Sequence, residues 1–201
     1  GLQNKIALAV GRQMGARVSF FWRPFFERGL TRETSDNKDC EIIIEVPNGY
    51  GAILSSQPIY KSTYVFVTHR DADFAIEDFD DPDLREKTVG VFQHSAMREA
   101  LSRHGIKEGL DLHILSYDAD LKPEKQPWNQ VRKVAERQLD VAGVWGPFAG
   151  WVKAQGAPIK LTPVNLMEDQ VVMEFAMSFG VRSNDVVLKY ALDFAMNDIR
   201  D

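Results

Sequence analysis

Side chains able to do acid–base or metal chemistry are few and scattered in this sequence. The histidines His69, His94, His104 and His113 lack the close spacing of a metal-binding helix. There is no Gly-x-Ser-x-Gly elbow, phosphate-binding loop or HExxH motif. Glu45, at the end of an apolar run, is the best candidate for a general acid or base. A solvated glutamate at a strand end is the favoured interpretation of this residue.

Aromatic side chains near predicted strand ends and turns form a second set of candidates, because they can line a cleft or anchor a protein partner. The set comprises Trp22, Tyr50, Tyr60, Tyr64, Trp128, Trp145 and Phe148. The competing interpretation is core packing, which is favoured for Trp22 and Phe148. For Tyr50 and Trp145, which lie beside glycine turns, both interpretations stay open.

His94 and Ser95 fall between a predicted strand and a predicted helix. A helix N-terminus there could hold an anion, but Ser95 serving only as the N-cap is the favoured interpretation. From residue 71 to residue 83 there are seven acidic side chains and no basic one. They lack the spacing of a calcium-binding loop, so a solvated connector is favoured over a cation site.

Composition excludes several classes of protein. The 201 residues include 24 Lys and Arg against 29 Asp and Glu, a formal net charge of −5, whereas nucleic-acid-binding proteins usually present a basic face. No run approaches the roughly 20 apolar residues that span a bilayer. Cys40 is the single cysteine, which excludes an internal disulfide and a thiolate metal cluster. We expect no nucleic acid, membrane span, metal or cofactor.

Hydrophobic periodicity alternates between helix and strand along the chain. It predicts a helix from Leu2 ended by Gly15, a short weak helix over 30–35, a helix from Ser95 to His104, one begun by Asn129, one from Gly146 to Gly156 and a final helix from Asp185. Strands are predicted over 17–22, 40–46, 63–68, 88–92, 113–117, 139–145, 159–162 and 175–181. Residues 40–46 are almost continuously apolar, as in a parallel sheet covered on both faces.

Two successive α/β units predict a bilobal α/β fold whose chain crosses between the lobes twice. We expect lobe 1 to comprise residues 1–70 plus 171–201 and lobe 2 to comprise residues 71–170, with a hinge near 68–86 and 163–175. A ligand is expected in the cleft between such lobes. Because the chain opens on a helix, the first strand of lobe 1 is expected to be missing.

Several strings resemble one family closely: DCEIIIEVPNGY, SSQPIYKSTYVFVTHR, LDVAGVWGPFAGW and SFGVRSND. The chain resembles the MxaJ/XoxJ-type solute-binding-like accessory proteins encoded beside periplasmic quinoprotein methanol dehydrogenases. The matching residues are Cys40, Val46, Pro47, Gly49, Tyr50, Pro58, Tyr60, Ser62, Thr63, Tyr64, Val65, Phe66, Val67, Val144, Trp145, Gly146, Pro147, Gly180, Val181 and Arg182. The resemblance covers nearly the whole chain.

The resemblance implies a type II periplasmic-binding-protein-like fold, a periplasmic location and a non-enzymatic role. It implies that the chain binds and helps to activate or mature a PQQ-dependent methanol dehydrogenase, with room for a small or hydrophobic ligand in the cleft. The family often has a further cysteine on its first strand, so Cys40 is either the remnant of a disulfide or a small buried hydrophobe.

Two other functions stay open. A transport receptor for a small solute is the first, but amino-acid receptors usually place an arginine just after the 47–51 turn to clamp the ligand carboxylate. This sequence has Ala52, Ile53 and Leu54 there, which disfavours a carboxylate clamp. The second is an enzyme of the dehydratase type, for which only Glu45 and the histidines could provide a general acid or base.

Overall fold

The computed structural model describes residues 1–22, 38–51, 53–114 and 122–200. The helices of these residues are α1 (Leu2–Gln13), α2 (Asp83–Glu86), α3 (Ala96–Arg103), α4 (Asn129–Ala135), α5 (Gly146–Ala154) and α6 (Val186–Arg200), with a 3-10 helix at Pro123–Lys125. The strands are β1 (Ile42–Pro47), β2 (Leu54–His69), β3 (Val89–Phe92), β4 (Leu110–His113), β5 (Val141–Trp145), β6 (Ile159–Pro163), β7 (Met167–Glu168), β8 (Val171–Val172) and β9 (Glu174–Val181). No described helix is long and apolar enough to cross a membrane.

The chain divides into two compact units. Unit 1 contains Gly1–Lys61 and Phe175–Asp201, and unit 2 contains Ser62–Glu174. The chain passes from unit 1 to unit 2 within β2, and it returns at the start of β9. The lobe limits at residues 70 and 171 and the hinge segments drawn from the sequence stay predictions.

Unit 1 is a small sheet covered by two helices. β1 pairs antiparallel with β9, with Ile42 opposite Val181, and β9 is also the neighbour of β2. The core consists of residues from α1, β9 and α6, namely Val10, Phe179, Val181, Leu192, Ala195 and Met196. The expectation of a parallel strand covered on both faces at 40–46 is therefore wrong: β1 begins at Ile42, lies at the edge of the sheet and is mostly half-buried.

Unit 2 is a mixed sheet with the strand order β6, β2, β5, β3, β4. β3 runs parallel to β4 and β5, whereas β2 runs antiparallel to β5 and β6. Successive residues of β2 point to opposite faces, so Phe66 packs in one core with α3 while Val65 and Val67 pack in a second core with α4 and α5. Both faces of this sheet are covered, which is why its strands are buried and apolar.

Local signals predicted four of the helix ends correctly. Gly15 and Gly156 follow α1 and α5 with φ of +64° and +89°, a conformation that glycine adopts without strain. Ser95 caps α3 as expected, because its Oγ accepts from the Arg98 N–H at 3.2 Å. Asp185 does the same for α6, where its carboxylate accepts from the Leu188 N–H at 3.2 Å.

Other expectations are wrong. Residues 17–22 form no strand despite their alternation, and none of the strands in the described residues pairs with them. β4 ends at His113, where the sequence had predicted a strand to begin. The N-cap of α4 is Trp128 rather than Asn129. The weak helix expected over 30–35 lies outside the described residues.

The β7–β8 hairpin was missed by sequence reasoning. Its two-residue turn is Asp169-Gln170, with φ of +43° and +66°. Turns with two positive φ angles usually carry Asn-Gly or Asp-Gly, so a sequence without glycine at this point gave no hairpin signal.

Candidate functional site

The residues selected from the sequence fall in both units. Trp22, Cys40, Tyr50 and Tyr60 lie in unit 1, and the others, Tyr64, His94, Ser95, Trp128, Trp145 and Phe148, lie in unit 2. Most of the selected residues in unit 2 lie at one edge of its sheet, where β3 and β5 end and where α3 and α5 begin. The carboxyl ends of parallel strands are the usual place for a ligand in open α/β sheets. We call this the β3–β5 edge.

An aromatic pair occupies the β5 side of the edge. Tyr64 and Trp145 are directly opposite each other in the antiparallel β2–β5 ladder, and their ring centroids are 5.4 Å apart at an interplanar angle of 63°. Burial raises the pKa of the Tyr64 hydroxyl, and a hydrogen bond from the Ala96 backbone partly offsets that rise. The Tyr64 side chain therefore connects β2 to the first turn of α3.

The N-terminus of α3 is satisfied from within the protein. Ser95 Oγ accepts from the Arg98 N–H and donates to the Phe92 carbonyl at 3.0 Å. The Arg98 guanidinium folds back and donates to the Gln93 carbonyl at 2.7 Å. With the Tyr64–Ala96 hydrogen bond, these contacts provide partners for backbone groups in the first turn of α3. The structure therefore confirms Ser95 as the cap of this helix.

The N-terminus of α5 is built differently, because no side chain caps it. Gly146 begins the helix so close to β2 that a Cβ there would lie 2.7 Å from the Thr63 carbonyl oxygen and 3.0 Å from Ser62 Oγ. Pro147 follows at the position where a missing N–H costs least. The close contact between Gly146 and β2 therefore fixes the positions of Trp145 and Phe148, which flank the start of α5.

A row of rings continues from α5 toward β4. Phe148 lies 6.1 Å from Phe92, and Phe92 lies 5.0 Å from the imidazole of His113. His113 is buried, and its Nε2 is 3.0 Å from the Lys125 carbonyl oxygen. Burial lowers the pKa of His113, with the backbone hydrogen bond acting in the opposite direction. The imidazole therefore stays neutral near pH 7 and serves as part of the aromatic row.

The rings at the β3–β5 edge, those of Tyr64, Phe92, Trp145 and Phe148, are all half-buried. No group of three metal-ligating side chains occurs in the parts of the chain that the structure describes. His94 is exposed at the end of the loop before α3.

Trp128 lies away from this edge, near the opposite end of α5. Its ring is 5.5 Å from that of Trp151, and the Arg132 guanidinium lies 5.3 Å from the Trp128 ring. They line an open groove of about 430 Å³ between α4 and the end of α5. Sequence reasoning missed Trp151, because an aromatic residue within an apolar helix gives no signal that it is exposed.

In unit 1, the turn that carries Tyr50 is held rigidly. Asn48 Nδ2 donates to the Ser56 carbonyl at 3.0 Å and to Ser178 Oγ at 2.9 Å, so the turn is bonded to both neighbouring strands. Tyr50 is exposed at this turn. Trp22 is 71% exposed and contacts the Phe20 ring at 6.0 Å, so the favoured expectation that Trp22 packs in the core is wrong.

Glu45 takes part in a hydrogen-bonded cluster. Its carboxylate accepts from the Tyr60 hydroxyl and from Gln3 Nε2, the latter at 2.8 Å. Glu45 is half-buried, so the favoured expectation of a solvated glutamate is wrong. The cluster joins α1, β1 and β2, which gives both Glu45 and Tyr60 a structural role.

Cys40 is a free, half-buried thiol. Burial, followed by the negative charges of Glu41 and Asp39, raises the pKa of the Cys40 thiol. The Cys40 carbonyl accepts from Arg182 Nη1 at 3.0 Å. A thiol with a raised pKa is a poor nucleophile at neutral pH.

Comparison with known proteins gives relatives over nearly the whole chain, although no family model matches. The chain is 28% identical to Protein MoxJ of Methylorubrum extorquens (strain AM1), in an alignment that covers 98% of this chain and 69% of that protein.

Solved structures share the fold. MxaJ from Methlophaga aminisulfidivorans MPT superposes with a TM-score of 0.79 at 22% identity, covering 98% of this chain and 85% of that one. The periplasmic binding protein XoxJ from Methylobacterium extorquens AM1 gives 0.71 at 24% identity, covering 100% and 85%. An arginine-binding protein from T. maritima gives 0.66 at 16% identity, covering 100% and 80%. The chain therefore has the fold of a type II periplasmic binding protein, and its resemblance to the MxaJ/XoxJ-type proteins is confirmed.

Proposed function

We propose that this chain is a non-enzymatic periplasmic accessory protein that binds a PQQ-dependent methanol dehydrogenase and helps to activate or mature it. The observation that carries the proposal is the similarity to MoxJ along almost the entire chain. The structural likeness to MxaJ, which exceeds that to the arginine-binding protein, supports the same assignment.

The chemistry of the β3–β5 edge agrees with a binding role. Its rings are fixed by packing and by backbone hydrogen bonds, as in Tyr64 at Ala96. Aromatic side chains that are already ordered lose little entropy when they bind a partner. His113, next to this row of rings, is buried with its Nε2 3.0 Å from the Lys125 carbonyl oxygen, and burial lowers its pKa.

Unit 1 supplies a second set of partner contacts in this proposal. Trp22 and Tyr50 are exposed, and Tyr50 is presented by a turn that Asn48 holds in place. Binding energy from such contacts can shift a partner between conformations only if the partner's conformers bind with different affinities. An activator must therefore prefer one state of the dehydrogenase, either with or without its quinone.

The proposal is tested by sedimentation velocity of this protein with a PQQ-dependent methanol dehydrogenase, prepared without quinone and with quinone. We expect a complex, with tighter binding to one of the two preparations. Trp22→Ala should weaken it about tenfold or more, as for an exposed aromatic anchor. Trp151→Ala is the matched control, because Trp151 is an exposed tryptophan that lies outside the proposed surface. Absence of a complex with both preparations refutes the proposal.

A solute receptor of an ABC transporter is the second candidate, favoured by the fold shared with an arginine-binding protein. The segment after Tyr50 contains no arginine through Leu54, so its solute would lack an amino-acid carboxylate. A thermal-shift screen distinguishes the two functions. A small solute that raises the melting temperature in proportion to the logarithm of its concentration supports the receptor.

A further inference from the structure

The turn after β1 contains the sequence Asn48-Gly49, which is the only Asn-Gly pair in the chain. Asparagine is a chemically labile residue, and it is most prone to lose its side-chain amide before glycine, which has no side chain to shield the backbone nitrogen. Both residues are exposed, and a Cβ placed on Gly49 would meet no atom within 4 Å. The atoms that would react are therefore accessible to water.

The reaction, deamidation, needs water as its only co-reactant. The Gly49 backbone nitrogen attacks the side-chain carbonyl carbon of Asn48, so that a new C–N bond forms and the bond to the side-chain nitrogen breaks. That nitrogen leaves as ammonia and takes the proton of the Gly49 N–H. Water then opens the cyclic imide and gives aspartate or isoaspartate at position 48. Nothing is oxidised or reduced.

The folded turn opposes this reaction at both reacting groups. The Asn48 amide nitrogen donates to the Ser56 carbonyl at 3.0 Å and to Ser178 Oγ at 2.9 Å. Ser56 and Ser178 are both buried, so these acceptors are fixed within the sheet. The Gly49 N–H donates to Ser55 Oγ at 3.2 Å, which engages the nitrogen that would attack. The attack therefore requires the turn to open.

The backbone of the turn is also bonded on both sides of the reacting pair. The Asn48 N–H donates to the Ala176 carbonyl at 2.7 Å, and the Tyr50 N–H donates to the Pro47 carbonyl at 3.1 Å. Gly49 has a φ of +78°, a conformation that glycine adopts without strain. The glycine that this turn requires is thus the same residue that makes Asn48 labile.

Deamidation would remove contacts that hold the turn. A carboxylate at position 48 accepts hydrogen bonds but cannot donate them, so it would place its oxygens against the Ser56 carbonyl oxygen. Isoaspartate also adds one carbon to the backbone, which displaces the residues that follow. Either product leaves Tyr50 on a looser turn, and water does not restore the amide.

We propose that Asn48 is a site of spontaneous deamidation that the folded turn holds back, so that modification is coupled to opening of residues 47–51. The rate is set by the fraction of molecules in which the turn is open and by the reactivity of the open turn. This inference does not depend on the proposed function, because it concerns the isolated chain.

Peptide mapping by mass spectrometry tests the site on protein incubated at mildly alkaline pH, with and without urea. Asn48 should be converted at least about tenfold faster in urea than in the folded protein, because several hydrogen bonds must break before the turn opens. The other asparagines, none of which precedes glycine, are the internal control and should change little. No conversion of Asn48 in urea, or equal rates in the two conditions, overturns the proposal.

Two serine variants test the protection. Ser178→Ala removes an acceptor of the Asn48 amide, and Ser55→Ala removes the acceptor of the Gly49 N–H. Each should speed conversion in the folded protein about two- to tenfold, the range for loss of one hydrogen bond, and leave the rate in urea unchanged. Ser102→Ala, at an exposed serine of α3, is the matched control and should react like wild type.

Amide hydrogen exchange separates opening of the turn from unfolding of unit 1. In both variants, exchange should be faster at Tyr50 and unchanged in α6. Conversion rates equal to wild type in both variants contradict protection by these bonds. Faster conversion with an equal acceleration of exchange in α6 contradicts it as well, since unfolding of the whole unit would then be the cause.

Discussion

At Gly146, an added methyl group would collide with the backbone of a neighbouring strand. A Cβ at this residue would lie 2.7 Å from the Thr63 carbonyl oxygen and 3.0 Å from Ser62 Oγ. The hydroxyl can rotate away, but the carbonyl belongs to the backbone of β2 and cannot move without disturbing the sheet. Gly146→Ala must therefore displace α5 from β2 by several tenths of an ångström.

The expected cost follows from two opposing effects. Overpacking of this kind destabilises by about 1–3 kcal/mol, and alanine recovers at most about 1 kcal/mol through its better helix propensity. We expect Gly146→Ala to lower the free energy of unfolding by about 1–2 kcal/mol. The change should also alter the near-ultraviolet circular dichroism of Trp145, since the methyl group moves the backbone next to that ring.

Gly150 provides a matched control in the same helix. A Cβ there meets no atom within 4 Å, and the residue is exposed. Gly150→Ala should therefore raise the free energy of unfolding by about 0.5–1 kcal/mol. Both variants are measured by urea unfolding against wild type. If Gly146→Ala is as stable as Gly150→Ala, the close approach of α5 to β2 is wrong.

Three further perturbations have defined outcomes. The pKa of His113 is lowered in the folded state. The free energy of unfolding should therefore decrease as pH falls from about 6.5 toward that lowered pKa. In urea unfolding between pH about 8 and about 5, His113→Gln should make the free energy of unfolding depend less on pH. Asp140 accepts from the Thr88 N–H at 2.8 Å and from Thr88 Oγ1 at 2.7 Å, which lowers its pKa. The stability from Asp140 is therefore present above its ordinary pKa near 4 and lost as pH falls through the lowered value. Asp140→Ala should cost no more than about 1 kcal/mol at neutral pH, because the carboxylate is partly solvated, and acid titration of the variant should lack this component. Tyr60→Phe removes the hydroxyl that donates to half-buried Glu45. It should lower the free energy of unfolding by about 1–2 kcal/mol, measured by thermal or urea unfolding. An unchanged free energy of unfolding would contradict a structural role for the cluster.

Local chemistry determined the parts of the fold that could be predicted from the sequence. Ser95 and Gly156 mark helix ends because capping and positive φ depend on a few adjacent atoms. The fold class was predicted separately, from the resemblance of the sequence strings around Tyr64 and Trp145 to a known family. Trp145 lies at the end of β5, as its neighbouring Gly146-Pro147 turn predicted, whereas a role in binding for this ring stays a prediction.

Tertiary structure decided what depends on partners distant in the chain. The sequence of β1 suits a buried parallel strand, yet its only strand partner in the described chain is antiparallel β9. Residues 17–22 alternate like a strand, but no strand within the described ranges pairs with them, and Trp22 is exposed. Glu45 is bonded by residues 42 positions before it and 15 positions after it. Pairing and exposure are set by which surfaces meet after folding, and a sequence window contains only one of the two surfaces.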